Sequence, residues 1–313
     1  MNWKTKAFIQ NFVAYLPQKI SYEAYFQMQR YFGGFKKPFN PLNKFEKSVD
    51  VLKKILNYGY TIDGKIFLEV GTGHAPIFPI AFWLCGAEKT VTIDLNPYIR
   101  NELIMDMLFF VKTESLKIET VFGNLLNQER FNLLLDYSRR NKIDKNNFLK
   151  LCRIEYIAPG DAAKTNLPKN SINYHISNTV YEHIPLNIVH NILEEGNRII
   201  SKEGLFINNI DYSDHFAHMD KNIPAINFLQ FDDKTWEKYA GNRYMYMNRA
   251  RHDDFVELFT NVGHDFLEIK PCKNEEVLNI LENNKITLDN KFRNKSNEIL
   301  SITGASFITQ KKE

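Results

Sequence analysis

Ile66-Phe67-Leu68-Glu69-Val70-Gly71-Thr72-Gly73-His74-Ala75 is the stretch that decides the fold. An apolar run with an acid near its end enters a Gly-x-Gly turn, and a helix is expected to begin near Pro76. A parallel strand must turn sharply into its helix at the carboxyl edge of a sheet. Glycines allow the backbone angles this requires and let a ligand lie against the chain. The unpaired N–H groups of the following helix start face the same crevice.

Moving outward, Thr90-Val91-Thr92-Ile93-Asp94 reads as the next strand, and its terminal acid is placed to accept ribose hydroxyls. Short β-like runs continue at 154–158, 172–177, 204–210, 266–270 and 305–309. Helical stretches lie between runs at about 76–85, 97–112, 186–201 and 249–261. Strands alternating with helices predict a doubly wound α/β sheet of parallel βαβ units. The polar stretch 113–153 predicts a helical insertion, and 211–248 a second long element after a strand. Two further motifs close strands. Pro159-Gly160-Asp161-Ala162 follows the third, and Ser177-Asn178-Thr179-Val180-Tyr181-Glu182-His183-Ile184-Pro185 ends the fourth.

In this order and spacing the four motifs resemble the class I S-adenosylmethionine-dependent methyltransferases, over about residues 60–212. The resemblance implies a Rossmann-like methyltransferase fold with a seven-stranded, mostly parallel sheet, the last strand antiparallel. It implies S-adenosylmethionine as cofactor. Gly71, Thr72 and Gly73 would line its methionine part, Glu69 would act on its amino end, and Asp94 with Leu95 would hold the ribose. Asp161 and Ala162 would hold the adenine, and Asn178 would lie beside the reactive methyl. Ala75 stands where a third glycine is common, a mild departure.

Sulfonium methyl transfer leaves the protein to position the acceptor and remove its proton. His183, His215 and His218 lie after the fourth and fifth strands, where a base is needed, and are the catalytic candidates. The dense cluster from Asp211 to Asp220 offers a general base, a divalent-metal site or a hydrogen-bonded loop. No fixed ligand spacing supports a metal, and none is assigned. Asp211, Tyr212, Arg249 and Arg251 are the acceptor-binding candidates, the arginines because their forks bind carboxylate or phosphate; surface pairing with Asp253, Asp254 and Glu257 is the plainer alternative. Phe228, Phe231, Trp236, Tyr244 and Tyr246 suit either stacking on an acceptor ring or a local core.

Composition narrows the function. The chain has 313 residues, 44% hydrophobic and 25% charged, an ordinary foldable balance. No apolar run is long enough for a spanning helix, no signal peptide is evident at the start, and the three separated cysteines suggest reduced thiols, so a cytoplasmic protein is expected. Residues 1–60 hold ten Lys/Arg against three Asp/Glu and 14 of the 42 aromatics. This segment is expected to be an N-terminal helical cap. Its basic balance suits an anionic acceptor or peripheral association with a membrane surface, and its aromatics suit a homodimer. Residues 61–313 form the expected methyltransferase domain. A Pro-Pro-aromatic element and a suitably placed Pro-Cys are missing, and the body is mildly acidic, so nucleic acid is not the expected partner. The expected function is O-methylation of a small-molecule or sugar-type acceptor. The alternatives are an inactive protein that only binds the cofactor and a nicotinamide-dependent oxidoreductase.

Overall fold

The computed structural model describes residues 1–140 and 142–312; position 141, inside the expected insertion, and position 313, at the end of the expected domain, lie outside the described residues. Three helices come first: α1 (Trp3–Tyr15), α2 (Gln18–Phe32) and α3 (Leu42–Asn57). There follow β1 (Ile66–Val70), α4 (Ile77–Leu84), β2 (Lys89–Ile93) and α5 (Asn101–Thr113). The insertion is helical as expected, with α6 (Ser115–Phe122), α7 (Gln128–Ser138) and α8 (Lys145–Leu151). The rest is β3 (Ile154–Ile157), β4 (Ile172–Asn178), α9 (Leu186–Ile199), β5 (Ile200–Asp211), α10 (Asp233–Ala240), α11 (His252–Asn261), β6 (His264–Lys273), α12 (Glu275–Glu282), α13 (Asn297–Ser301) and β7 (Ile302–Lys311).

The strands form one seven-stranded sheet in the order β3-β2-β1-β4-β5-β7-β6. β1 pairs in parallel with β2 and β4, and β2 with β3, while β7 runs antiparallel to β6. This is the doubly wound sheet with an antiparallel last strand that the motifs implied. The order reverses at β1, so the Gly-x-Gly turn sits at the topological switch point, where open α/β sheets bind ligands. α12 and α13, between β6 and β7, were not anticipated. No helix among the described residues is long and apolar enough to cross a membrane.

The chain divides into two compact units, one of residues 30–177 and 194–207, the other of 1–29, 178–193 and 208–313. The basic front segment is therefore shared between them. In the first unit, α3 buries Phe45, Val49, Leu52 and Ile55, while Leu56 at the edge of that face is half-exposed. α4 is buried on every side, a helix enclosed within its unit. The polar insertion carries its own apolar stripe, Phe122, Phe131, Leu134 and Phe148. Arg130 pins it by donating to the carbonyls of Trp83 (2.7 Å) and Ala87 (2.8 Å).

In the second unit, the segment after β5 builds a local core. Phe216, Phe228, Leu229, Trp236, Met245 and Met247 gather there with Trp3 and Ala7 of α1. The Trp3 ring lies 4.8 Å edge-on from Tyr239 and 5.5 Å from Phe216, and the Trp3 backbone N–H donates to Asp220 Oδ2 (2.9 Å). Phe8 and Phe12, four residues apart on α1, are exposed; α1 buries Trp3, Ala7, Gln10 and Val13 instead. The aromatics of 211–248 thus divide. Phe228, Phe231 and Trp236 belong to the local core, and Tyr244 stacks on Tyr25 at 3.9 Å.

Because Trp3 fills this core, Trp3→Ala is expected to lower unfolding free energy by about 3 kcal/mol, the ordinary loss for a buried aromatic truncation. Urea denaturation followed by tryptophan fluorescence and circular dichroism checks it; a change under 1 kcal/mol, on the order of a surface substitution, contradicts the packing.

Candidate functional site

The turn after β1 has the backbone that its glycines permit. Gly71 and Gly73 sit at φ +86° and +68°. A Cβ built on Gly73 would meet nothing within 4 Å, so open space lies above it, and the positive φ is what calls for glycine. The Gly73 N–H donates to Asp94 Oδ2 at 2.8 Å, tying the turn to the end of β2. The N–H of Gly160 donates to the Asp94 carbonyl at 2.9 Å, which brings in the turn after β3. Three strand ends therefore meet around Asp94.

Under the turn, Glu69 is buried and accepts from Thr92 Oγ1 at 2.6 Å, and Thr92 in turn contacts the hydroxyl of Thr72. Burial pushes the Glu69 carboxyl up to about 8, with Thr92 and the nearby Lys44 offsetting part of the effect and Asp94 adding to it. Asp94 is raised to about 6 by burial, against the N–H donors of Gly73, Asn96 and Leu95. His74, in the turn, is lowered to about 4 by burial and by the charges of Arg100 and Lys44. Leu95 is 72% exposed, an apolar side chain standing in solvent next to Asp94. Asp161 is exposed and caps its own turn by accepting from Ala163 N–H at 2.9 Å, while Ala162 is buried. The sequence pattern missed Thr92 and Lys44. Thr92 could have been found as a polar residue at an inward strand position; Lys44 carries no local signal.

The acceptor-side candidates lie in the other unit. Asn178 ends β4 and accepts from Asn209 Nδ2 at 3.0 Å. Thr179, directly after it, holds φ at +54°, a costly conformation for a β-branched residue and one that recurs at functional sites. His183, His215 and His218 do come together with Asp211. The His183 and His215 rings are 4.8 Å apart, as are those of His215 and His218. Asp211 Oδ2 lies 3.4 Å from His215 Nε2 and 3.6 Å from His218 Nε2. Burial raises the Asp211 pKa, but His215 and the Ser213 donors outweigh it and bring the carboxyl down to about 2. His183 falls to about 4, through burial and the neighbouring His215. Burial also lowers His218, so these two imidazoles are neutral near pH 7. A cavity of 470 Å³ opens beside the cluster, lined by Asp211, Ser213, His218 and Lys221 among others. A second cleft of 660 Å³ lies along β3 and α8 and touches none of the predicted residues.

Arg249 and Arg251 are corrected by the structure. The Arg251 guanidinium is fully buried and donates to the carbonyls of Tyr212 (2.6 Å), Leu300 (3.0 Å) and Ile302 (2.7 Å). Arg249 donates to the carbonyls of Phe228 and Phe231 and pairs with Asp233. Both forks are committed to the chain itself and neither is presented to an acceptor. Tyr212 is buried as well, its ring 5.5 Å from Phe255. The surface pairing weighed for these arginines also fails: Asp253 and Asp254 are paired to Lys295.

Two substitutions test this assignment. Arg251→Ala leaves three buried carbonyls without a donor and is expected to cost roughly 3–5 kcal/mol in urea unfolding. An acceptor-binding arginine would leave stability nearly untouched. Glu69 has a folded-state value near 8, above its ordinary 4.5. Its contribution to stability is therefore complete below about pH 4.5 and is lost as pH rises through about 8. Glu69→Gln, which mimics the protonated acid, is expected to flatten the fall in melting temperature over that window; an unchanged pH profile contradicts a protonated Glu69.

The chain matches no family model and no curated protein sequence. Among solved structures it is similar to an S-adenosylmethionine-dependent methyltransferase from Mesorhizobium loti, with 13% identity over 83% of this chain and 95% of that one, TM-score 0.43. Magnesium protoporphyrin IX methyltransferase from Synechocystis PCC 6803, with S-adenosylhomocysteine bound, has 10% identity over 98% and 99%, TM-score 0.47. Phosphoethanolamine N-methyltransferase 2 from Haemonchus contortus has 15% identity over 94% of this chain and 58% of that one, TM-score 0.49. Likeness this loose assigns no chemistry to the chain, which rests instead on the residues around Asp94 and Asp211.

Proposed function

We propose that the protein is an S-adenosylmethionine-dependent methyltransferase that acts on a hydroxyl of a small-molecule or sugar-type acceptor. The observation that carries this reading is the meeting of three strand ends at Asp94, with open space above Gly73. The residues present fit the cofactor. The Asp94 carboxylate, partly buried beside the glycine turn, is an acceptor for ribose hydroxyls. Leu95 is an exposed apolar surface beside it, and Asp161 with Ala162 are the candidates for the adenine. Glu69 acts through the Thr92 and Thr72 hydroxyls rather than directly. Bound there, the cofactor would supply an activated methyl on a sulfonium leaving group.

Residues of the chain would handle the acceptor. Asp211, held ionised beside His215 and His218, favours an imidazole that takes up a proton, which suits a hydroxyl more than an amine. The cavity beside His218 has the size of a small-molecule site, and Lys221 on its wall favours an anionic acceptor. A nicotinamide-dependent oxidoreductase is the reading to test against.

Isothermal titration checks the cofactor. S-adenosylhomocysteine is expected to bind and NAD is not; the reverse result overturns the proposal. Asp94→Ala is expected to weaken nucleoside binding at least tenfold by removing the ribose acceptor. Because the ionised carboxylate accepts both hydroxyls, wild-type affinity is expected to fall as pH drops below about 6, and the variant to show no such fall. Equal affinity in the variant removes Asp94 from the site.

A further inference from the structure

We propose that Asp211, His215 and His218 form a binding site for a divalent first-row transition-metal ion, with His183 and Glu182 as adjoining donors. The distances carry it. A hydrogen bond between nitrogen and oxygen settles near 2.9 Å. The Nε2 atoms of His215 and His218 instead stand 3.4 and 3.6 Å from the same carboxylate oxygen, Asp211 Oδ2. Two donors on one tetrahedral ion, with bonds of about 2.0–2.2 Å, lie about 3.3–3.5 Å apart. The spacing is thus long for a hydrogen bond and close to that of shared ligation. His215 Nε2 is buried and makes no hydrogen bond of ordinary geometry, with Asp211 Oδ2 standing off at 3.4 Å.

The surroundings supply what such a site needs. Donor atoms of Asp211, His215 and His218 all fall within 4.8 Å of one another, and so do those of Glu182, His183 and His215, so the two groups share His215. His183 Nδ1 lies 2.8 Å from the carbonyl of Tyr246. Donation from Nδ1 to a backbone carbonyl fixes the tautomer that leaves Nε2 for a metal. Ser213 holds the other Asp211 oxygen, donating to Oδ1 at 2.6 Å, and so orients the carboxylate. His218 Nε2 also lies 2.9 Å from Ser213 Oγ, a hydrogen bond that an arriving ion would replace, the ring proton of the neutral imidazole then residing on Nδ1.

Imidazole and carboxylate together favour zinc, cobalt, manganese or iron over magnesium, which prefers oxygen ligands alone. The 470 Å³ cavity shares Asp211, Ser213 and His218 with the cluster, so an oxygen donor bound in the cavity can complete the coordination. The ion would then be a second way to lower the proton affinity of that oxygen, in place of a free imidazole base. Binding of the ion does not depend on methyl transfer.

The test uses full-length, tag-free protein freed of metal with a chelator and dialysed. Cobalt(II) is titrated while the visible d–d absorption is recorded, and zinc(II) is titrated by calorimetry. One equivalent is expected to bind, with at least a tenfold loss of affinity in His215→Ala and in Asp211→Asn. His218→Gln, changed at a half-exposed side chain that leaves the fold intact, is expected to weaken binding as well, and His190→Ala is not. Absence of saturable uptake by the wild type, or equal affinity in all three cluster variants, overturns the inference. Asp94→Ala, which should lose S-adenosylhomocysteine, is expected to keep metal uptake, so failure of the metal site and failure of the methyltransferase reading are separately visible.

Discussion

The contact from the Gly73 N–H to the Asp94 carboxylate is the constraint on which the cofactor-side unit depends. It can form only if β1 and β2 are parallel neighbours in register, and if the turn between β1 and α4 adopts positive φ at both glycines. With it in place, Glu69 lies under the turn, Thr92 reaches Glu69, and the turn after β3 closes on the Asp94 backbone. Burial of two carboxyls close together is costly. Here it is relieved by protonating one and by giving the other N–H donors: burial raises Glu69 to about 8, and Asp94, whose donors offset part of the effect, to about 6.

The second unit answers a different problem, a long segment after β5 that must bury its own apolar residues. Its solution is a core centred on Trp236, entered from α1 by Trp3, and a buried guanidinium that gathers three carbonyls from Tyr212, Leu300 and Ile302. Buried carbonyls just past β5 and at the junction of α13 and β7 thereby gain a donor. The hydrogen-bonded residues 211–220 are held by this frame, which keeps three histidines and an aspartate within reach of one another.

The strand runs and the Gly-x-Gly turn were legible because alternation and glycine act locally. All seven strands appear where short apolar runs predicted them, with β5, β6 and β7 longer at their ends than their apolar centres suggested. Local signals failed where a partner decides. Phe8 and Phe12 have helical spacing, yet tertiary packing buries the neighbouring stripe of α1 through Trp3. Arg249 and Arg251 looked like acceptor ligands because sequence reveals a fork but not what it grips. α12 was missed although Asn274 caps it, because its polar surroundings resemble a loop and its two inward residues, Val277 and Leu281, find their core only in three dimensions. Lys44 comes from a helix 25 positions before Glu69 and carries no signal that joins them.

Arg251 has a consequence for the chemistry even though it touches no acceptor. Burial lowers its pKa only to about 10, so it stays cationic, and it attracts Asp211 among other nearby carboxylates. The guanidinium itself is fully buried, so mobile ions screen its charge less than they screen the charge of a surface lysine. The pull of Arg251 on Asp211 would therefore weaken less with added salt than contacts made by the surface lysines of the front segment.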